Sequence, residues 1–154
     1  MRLKTYEAKD LFDAYQLFRE TVQKVNSHDY SPAQITAWLG PDTPAVQAKW
    51  QATLLDHQTY TAWQDDELVG FADMTSTGYL DRLYVSADHQ GEGIGRELVT
   101  ALEQAIPVSQ YETAASITAR PFFMAQGYQV IKQNTVVRDS VAMANFSMVK
   151  KANK

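Results

Sequence analysis

At 154 residues the chain has the size of one ordinary domain, and 45% apolar with 21% charged residues is the balance of a globular protein, so a single domain over residues 1–154 is expected. No run approaches the roughly 18 apolar residues of a membrane helix, and Met1-Arg2-Leu3-Lys4 leads into strand-like alternation rather than a leader, which predicts a cytoplasmic protein with no membrane partner. The absence of cysteine excludes disulfides, thiolate metal sites and a cysteine nucleophile, and a net charge of −4 speaks against a nucleic-acid partner, which would need clustered Lys and Arg.

In chain order, Met1 to Glu7 alternates as a first strand, and Asp10 can cap a helix to about Asn26 whose apolar face is Leu11, Tyr15, Phe18, Val22 and Val25. Ser31-Pro32-Ala33-Gln34 combines an N-cap serine, proline at the first helical position and glutamine three places on. It predicts a short helix carrying Ile35, Trp38 and Leu39 that stops at Gly40-Pro41. Thr43-Pro44 starts a third helix with Trp50, Leu54 and Leu55 inward. From Thr59 the period changes to two: Tyr60 to Trp63 and Leu68 to Met74 flank the turn Asp65-Asp66, and Tyr79 to Val85 adds a further strand.

A polar, glycine-rich loop from Ser86 to Gly95 comes next, and then a helix with Leu98, Val99, Leu102 and Ile106 at helical spacing. Val108 to Thr113 reads as a strand, Ser116 to Gln126 as a short helix interrupted by Pro121, and Tyr128 to Val137 and Val141 to Val149 as strands around Asp139-Ser140. The one basic cluster, Lys150 to Lys154, reads as a solvated end. This order implies an α/β (α+β) architecture, a mixed central sheet with helices on both faces.

The strand-loop-helix unit is an anion cradle. The first amides of a helix have no internal partner and sit at the positive end of the macrodipole, and Gly91, Gly93 and Gly95 clear the approach of a diphosphate. A dinucleotide-binding turn needs G-x-G-x-x-G, but here the third glycine comes one place early; a Walker loop needs Gly-Lys-Ser/Thr, but Gly95 is followed by Arg96-Glu97. Gln90-Gly91-Glu92-Gly93-Ile94-Gly95, preceded by Leu83-Tyr84-Val85, resembles the Q/R-x-x-G-x-G/A acyl-CoA signature of the GNAT superfamily of N-acetyltransferases. Ser116 to Tyr128 is similar to that superfamily's later motif, N-x-x-A-x-x-F-Y-x-x-x-G-F, with Ser116 in the asparagine place and Phe123 where tyrosine is usual. The element order is also that of the GNAT fold.

The resemblance implies acetyl-CoA as co-substrate, lying between splayed parallel strands, here Tyr79 to Val85 and Val108 to Thr113. Its pantetheine arm would follow the backbone of Leu83, Tyr84 and Val85, with the Val85 N–H facing the thioester carbonyl. Its pyrophosphate would rest on the amides of Gln90, Gly91, Glu92, Gly93, Ile94, Gly95 and Arg96, and Ser116 and Phe123 would border the same site. No metal is implied, and with three histidines and no cysteine none is expected.

The acceptor amine must be neutral to attack. For a lysine-like amine, deprotonation at neutral pH costs about 4 kcal/mol, so a general base is expected. In relatives whose base lies on this strand it stands four or six residues before the valine matching Val85, which here means Asp81 or Tyr79; alternation would put both on one face with Leu83 and Val85. Asp81 is the first choice, with Asp73 and Glu112 as fallbacks, against the alternative that Asp81 is a structural ion-pair partner of Arg2 or Arg82. Phe123 removes the usual proton donor to the CoA thiolate, leaving water, Ser116 or Tyr128; a thiol pKa near 8.5 makes that loss worth little more than about 1 kcal/mol.

The acceptor pocket is expected among the first helices and last strands, with Asn26, Tyr30 and Trp38 as substrate-contacting candidates. The leading reading is transfer of an acetyl group to a primary amine of a small molecule or peptide. The alternative is an acetyl-CoA-binding sensor with lapsed chemistry, motivated by Phe123. The terminal strands offer an exposed edge for a homodimer.

Overall fold

The chain enters as strand β1 (Arg2–Thr5) and passes into helix α1 (Leu11–Lys24) in the computed structural model, which describes residues 1–152. Asp10 acts one turn earlier than its sequence position suggests: its Oδ2 accepts from the Glu7 N–H at 2.9 Å, closing the 3-10 turn Ala8–Asp10, and makes no cap bond to α1. Ser31 does cap α2 (Pro32–Leu39). Its Oγ accepts from the Gln34 N–H at 3.1 Å while Gln34 Oε1 accepts from the Ser31 N–H at 2.8 Å, a reciprocal pair that satisfies two donors otherwise left bare. Thr43 caps α3 (Pro44–Asp56) with a single bond, its Oγ1 accepting from the Val46 N–H at 3.2 Å. Leu54 is buried in α3, but Leu55, expected inward, is 53% exposed.

Next come β2 (Gln58–Gln64), β3 (Glu67–Met74), β4 (Tyr79–Val85), α4 (Ile94–Ala105), β5 (Gln110–Ser116), α5 (Arg120–Ala125), β6 (Gln129–Arg138) and β7 (Val141–Lys151). Two boundaries differ from expectation. Ser116 ends a strand and does not open a helix, and Pro121 lies in the first turn of α5, where its missing N–H costs nothing, so it starts that helix and does not interrupt it. The basic end is also more ordered than expected: Lys150 and Lys151 belong to β7, and Lys150 Nζ reaches Glu103 Oε1 at 2.7 Å, while Asn153 and Lys154 lie outside the described residues.

All seven strands form one mixed sheet in the order β1-β2-β3-β4-β5-β7-β6, antiparallel except for β4 beside β5. Helices α1, α2 and α3 cover one face over Phe18, Val22, Leu54 and Phe71, and α4 covers the other over Val69, Ala72, Leu80, Leu98 and Leu102. Strands buried on both sides lose the simple apolar-polar alternation, which is why β3 is buried at every position after Glu67.

Two irregularities of β4 open a cleft at the centre of the sheet and set which residues face it. Asp73 pairs with Arg82 and the next residue, Met74, pairs with Leu80, so Asp81 is an extra, unpaired residue, a β-bulge. On its other side β4 meets β5 only at Tyr79↔Glu112 and Leu80↔Thr113. The ladder closes where Thr113 Oγ1 donates to the Leu80 carbonyl at 2.9 Å. Beyond that point the two parallel strands separate.

Candidate functional site

The glycine loop is built from its ends inward. Gln90 Nε2 donates to the Val85 carbonyl at 2.8 Å and to the Ser86 carbonyl at 3.2 Å, and Thr21 Oγ1 of α1 approaches the same Val85 oxygen at 3.3 Å. Gly91 and Gly93 adopt φ of +77° and +83°, and Gly93 is the residue on which α4 begins. A Cβ at Gly91 would meet nothing, so its absence leaves the loop's outer side open. A Cβ at Gly95 would come within 3.1 Å of the Phe122 ring, so that glycine lets α5 close on α4. Glu92 is tied down by Gln64 Nε2 at 2.9 Å and His89 Nδ1 at 3.2 Å. The Gln64 hydrogen bond, followed by that of His89, holds its carboxyl below the usual range. The only acid of the Gln90–Gly95 motif is thus drawn to the side while the amides of the α4 N-terminus stay free to meet an anion.

From this loop a cavity of about 630 Å³ runs into the gap between β4 and β5. The bulge decides what β4 offers to it. Ser86 N–H donates to the Val69 carbonyl at 2.8 Å. Antiparallel hydrogen bonding alternates, so Tyr84 and Arg82 also turn their backbone groups to β3, and Leu83 and Val85 turn theirs to the gap. Side chains obey the same logic. Leu83 and Val85 pack with the α4 core, and Tyr84 and Arg82 point to the α1–α3 side, where Arg82 lies 4.4 Å from the Trp50 ring centroid.

The extra residue breaks the alternation that would have put Asp81 on one face with Leu83 and Val85. Asp81 instead joins Arg82 (3.3 Å), with His57 Nδ1 of the α3–β2 junction at 4.0 Å. Behind it Asp73, fully buried, accepts from Arg82 Nη1 and pairs with His57 Nδ1, each at 2.8 Å. The hydrogen bond that His57 makes to Asp73, aided by both carboxylate charges and opposed by burial and by Arg82, raises the His57 pKa above its usual 6.5. His57, Asp73 and Asp81 have the spacing of a metal triad, but the Arg82 guanidinium already occupies the oxygens a cation would take. Asp81 lines the cavity; Asp73, Glu112 and Tyr79 do not. Burial, then Asp81 and Glu112, push the Tyr79 phenol up.

Asn26 and Trp38 also line the cavity. The Tyr84 side chain is also there: burial pushes its phenol up to about 12, while the Trp38 indole, Arg82 and Arg138 pull the other way. Tyr30 is placed differently from its expected role. It does not line the cavity; its hydroxyl accepts from the Ile117 N–H at 2.9 Å and donates to the Ala144 carbonyl at 2.8 Å, joining the turn before α2 to the residue after β5 and to β7. Ser116 lines the cavity and accepts from the Ala119 N–H at 3.0 Å, and the Phe123 ring forms part of the wall at 3% exposure. Tyr128 is excluded as a donor into the cleft, since its hydroxyl donates to Glu103 at 2.9 Å and it does not line the cavity.

Sequence reading missed His57, Thr21 and the side-chain direction of Tyr84. No local signal marks His57: its partner Asp73 is 16 positions away.

The model of the acetyltransferase (GNAT) domain matches residues 26–150. The chain is 30% identical over 148 residues to the uncharacterized N-acetyltransferase YafP of Escherichia coli K12, covering 96% of this chain and 94% of that one. A GCN5-related N-acetyltransferase structure from Rhodopseudomonas palustris superposes with a TM-score of 0.91 at 30% identity, over 98% of this chain and 95% of that one. The PaiA N-acetyltransferase of Thermoplasma acidophilum, solved with coenzyme A, shares the fold at a TM-score of 0.80 and 19% identity, covering 99% and 100% of the two chains.

Proposed function

The chain belongs to the GNAT acetyltransferase family, and from that premise we propose that residues 1–154 act as one domain moving an acetyl group from acetyl-CoA directly to a primary amine of a small molecule or peptide. The enzyme class comes with the family: an acetyl-CoA-dependent N-acetyltransferase. The observation that carries the finer reading is that a single cavity is lined both by the glycine loop and by Asp81.

The residues fit the co-substrate. The loop offers the amides of the α4 N-terminus with Gly91 open above them, which suits a pyrophosphate. The gap offers the backbone groups of Leu83 and the N–H of Val85, whose carbonyl is taken by Gln90, and these suit an amide-bearing pantetheine arm. When bound, acetyl-CoA supplies an acyl group activated as a thioester and a thiolate that can depart. The Val85 N–H is a cleft-facing donor for the acyl oxygen, a fixed dipole of the kind that contributes most to acyl transfer. Asp81 is the carboxylate for the acceptor: its charge attracts the ammonium form of the amine, and the same oxygen can take the proton the amine must lose. Asn26 and Trp38 line the same cavity and are the further residues to border the acceptor. Ser116 keeps its O–H proton available on the cleft side, because its Oγ accepts from Ala119 and does not need to donate there.

Titration calorimetry with acetyl-CoA and CoA, followed by thiol release against a pooled amine library, tests this reading. Binding with release from some pool supports it; binding without release from any pool overturns it in favour of a sensor. Among the described residues no helix is long and apolar enough to cross a membrane. The edge strand β6, exposing Val130, Ile131 and Val137, supports pairing with a second copy of the chain, and a monomer at all concentrations in sedimentation velocity would refute that.

A further inference from the structure

One titratable group at the acceptor end takes no part in the proposed transfer. His57 sits 15% exposed behind Asp81, outside the cavity lining, with Nδ1 at 2.8 Å from Asp73 and 4.0 Å from Asp81. The charges around it form a closed group. Asp73 and Asp81 are two carboxylates, Arg82 is one permanent cation shared between them, and His57 is the one member whose charge changes near neutral pH. Asp73 Oδ1 is buried with no hydrogen-bond partner among the described residues, so that carboxylate depends on its cations for compensation. On the other side of His57, the hollow it shares with β1 and the end of α3 has Tyr6 as its one other ionisable group among the described residues, and the Tyr6 hydroxyl donates to Gln51.

We propose that His57 is a positioning residue for the acceptor: its proton neutralises the Asp73–Arg82–Asp81 group, and its loss leaves Asp81 with an unbalanced negative charge facing the cleft. The acceptor class that responds to this is a cationic alkylamine, which enters as an ammonium ion. Protonated His57 competes with that ammonium for Asp81, and neutral His57 admits it. The inference rests on the proposed function, in which Asp81 meets the acceptor. An uncharged arylamine would not sense the switch.

Two arms test it on the full chain. In the first, the three histidines are followed by NMR across pH, with His57→Gln identifying the signal. The His57 midpoint is expected above 6.5 and lower in Asp81→Asn. The same midpoint in both proteins overturns the coupling. In the second, KM for an alkyl monoamine that the enzyme acetylates is measured between about pH 6 and 8.5, a range in which such an amine stays almost wholly protonated. KM should fall with rising pH in the wild type and be low and flat in His57→Gln. Coupling is reciprocal, so an ammonium that lowers the His57 midpoint by one unit corresponds to about a tenfold change in KM. A flat wild-type KM, or an unchanged limb in His57→Gln, overturns the proposal. Failure to acetylate any amine would refute the acceptor reading instead, and the NMR arm would still decide whether His57 senses Asp81.

Discussion

Gln90 Nε2 donates to the Val85 carbonyl at 2.8 Å, so the first residue of the glycine motif grips the last residue of the strand whose amides face the cleft. Loop and strand end are thereby held as one piece. Gln90→Ala removes this bond and the longer one to the Ser86 carbonyl and should weaken acetyl-CoA binding about fivefold, a combined loss of about 1 kcal/mol, and calorimetry would show it. Unchanged affinity would mean that the loop keeps its shape without these bonds.

Gly93 holds φ of +83° as the residue on which α4 begins. A side chain there is strained regardless of space, at a cost of about 1–3 kcal/mol. Gly93→Val is expected to lower the urea midpoint and to weaken acetyl-CoA binding together, because the same turn aims the amides. Gly91→Ala meets no neighbouring atom but shares the positive φ, so its effect should be confined to strain in the loop.

Asp81→Asn keeps the shape of the bulge and removes the charge. We expect kcat to fall by about 10²- to 10⁴-fold, the usual contribution of a general base, with acetyl-CoA affinity preserved. Equal activity in the variant would assign Asp81 to the Arg82 ion pair alone.

The raised His57 pKa makes stability depend on pH. A histidine whose folded pKa exceeds its unfolded value near 6.5 stabilises fully below that value, and its contribution disappears as pH rises through the folded midpoint. Urea unfolding of the wild type should therefore show a loss of stability on the alkaline side of 6.5 that is missing in His57→Gln. A parallel pH dependence in both proteins would contradict it.

Phe123 stands in the cavity wall where a tyrosine would place a proton donor. A thiolate leaving group needs little help near neutral pH, so Phe123→Tyr should change kcat by no more than about tenfold, with the larger gain at lower pH. A much larger gain, measured by thiol release, would show that protonation of the leaving group limits turnover.

Much of this molecule was legible locally. The Ser31–Gln34 box, the Thr43-Pro44 start and the helical spacing of Leu98, Val99 and Leu102 depend on residues within a turn of one another, and each appears where expected. The motif from Gln90 to Gly95 was readable for the same reason, since its positive φ values and free amides are properties of a few consecutive residues.

The acceptor end was not legible in this way. Tyr30 looked like a pocket residue and instead joins Ile117 to Ala144, partners 87 and 114 positions along the chain. Asp81 was named from its distance to Val85, but its direction depends on the bulge opposite the Asp73–Met74 step. Sequence by itself determined the element order, the Ser31 and Thr43 caps and the glycine turn ahead of α4, because short-range hydrogen bonds and side-chain periodicity are set by neighbouring residues. Only the tertiary structure decided which way β4 presents Leu83 and Val85 and that His57, Asp73, Asp81 and Arg82 share one charge group. Strand register and contacts between charges on separate elements exist only once the sheet has paired.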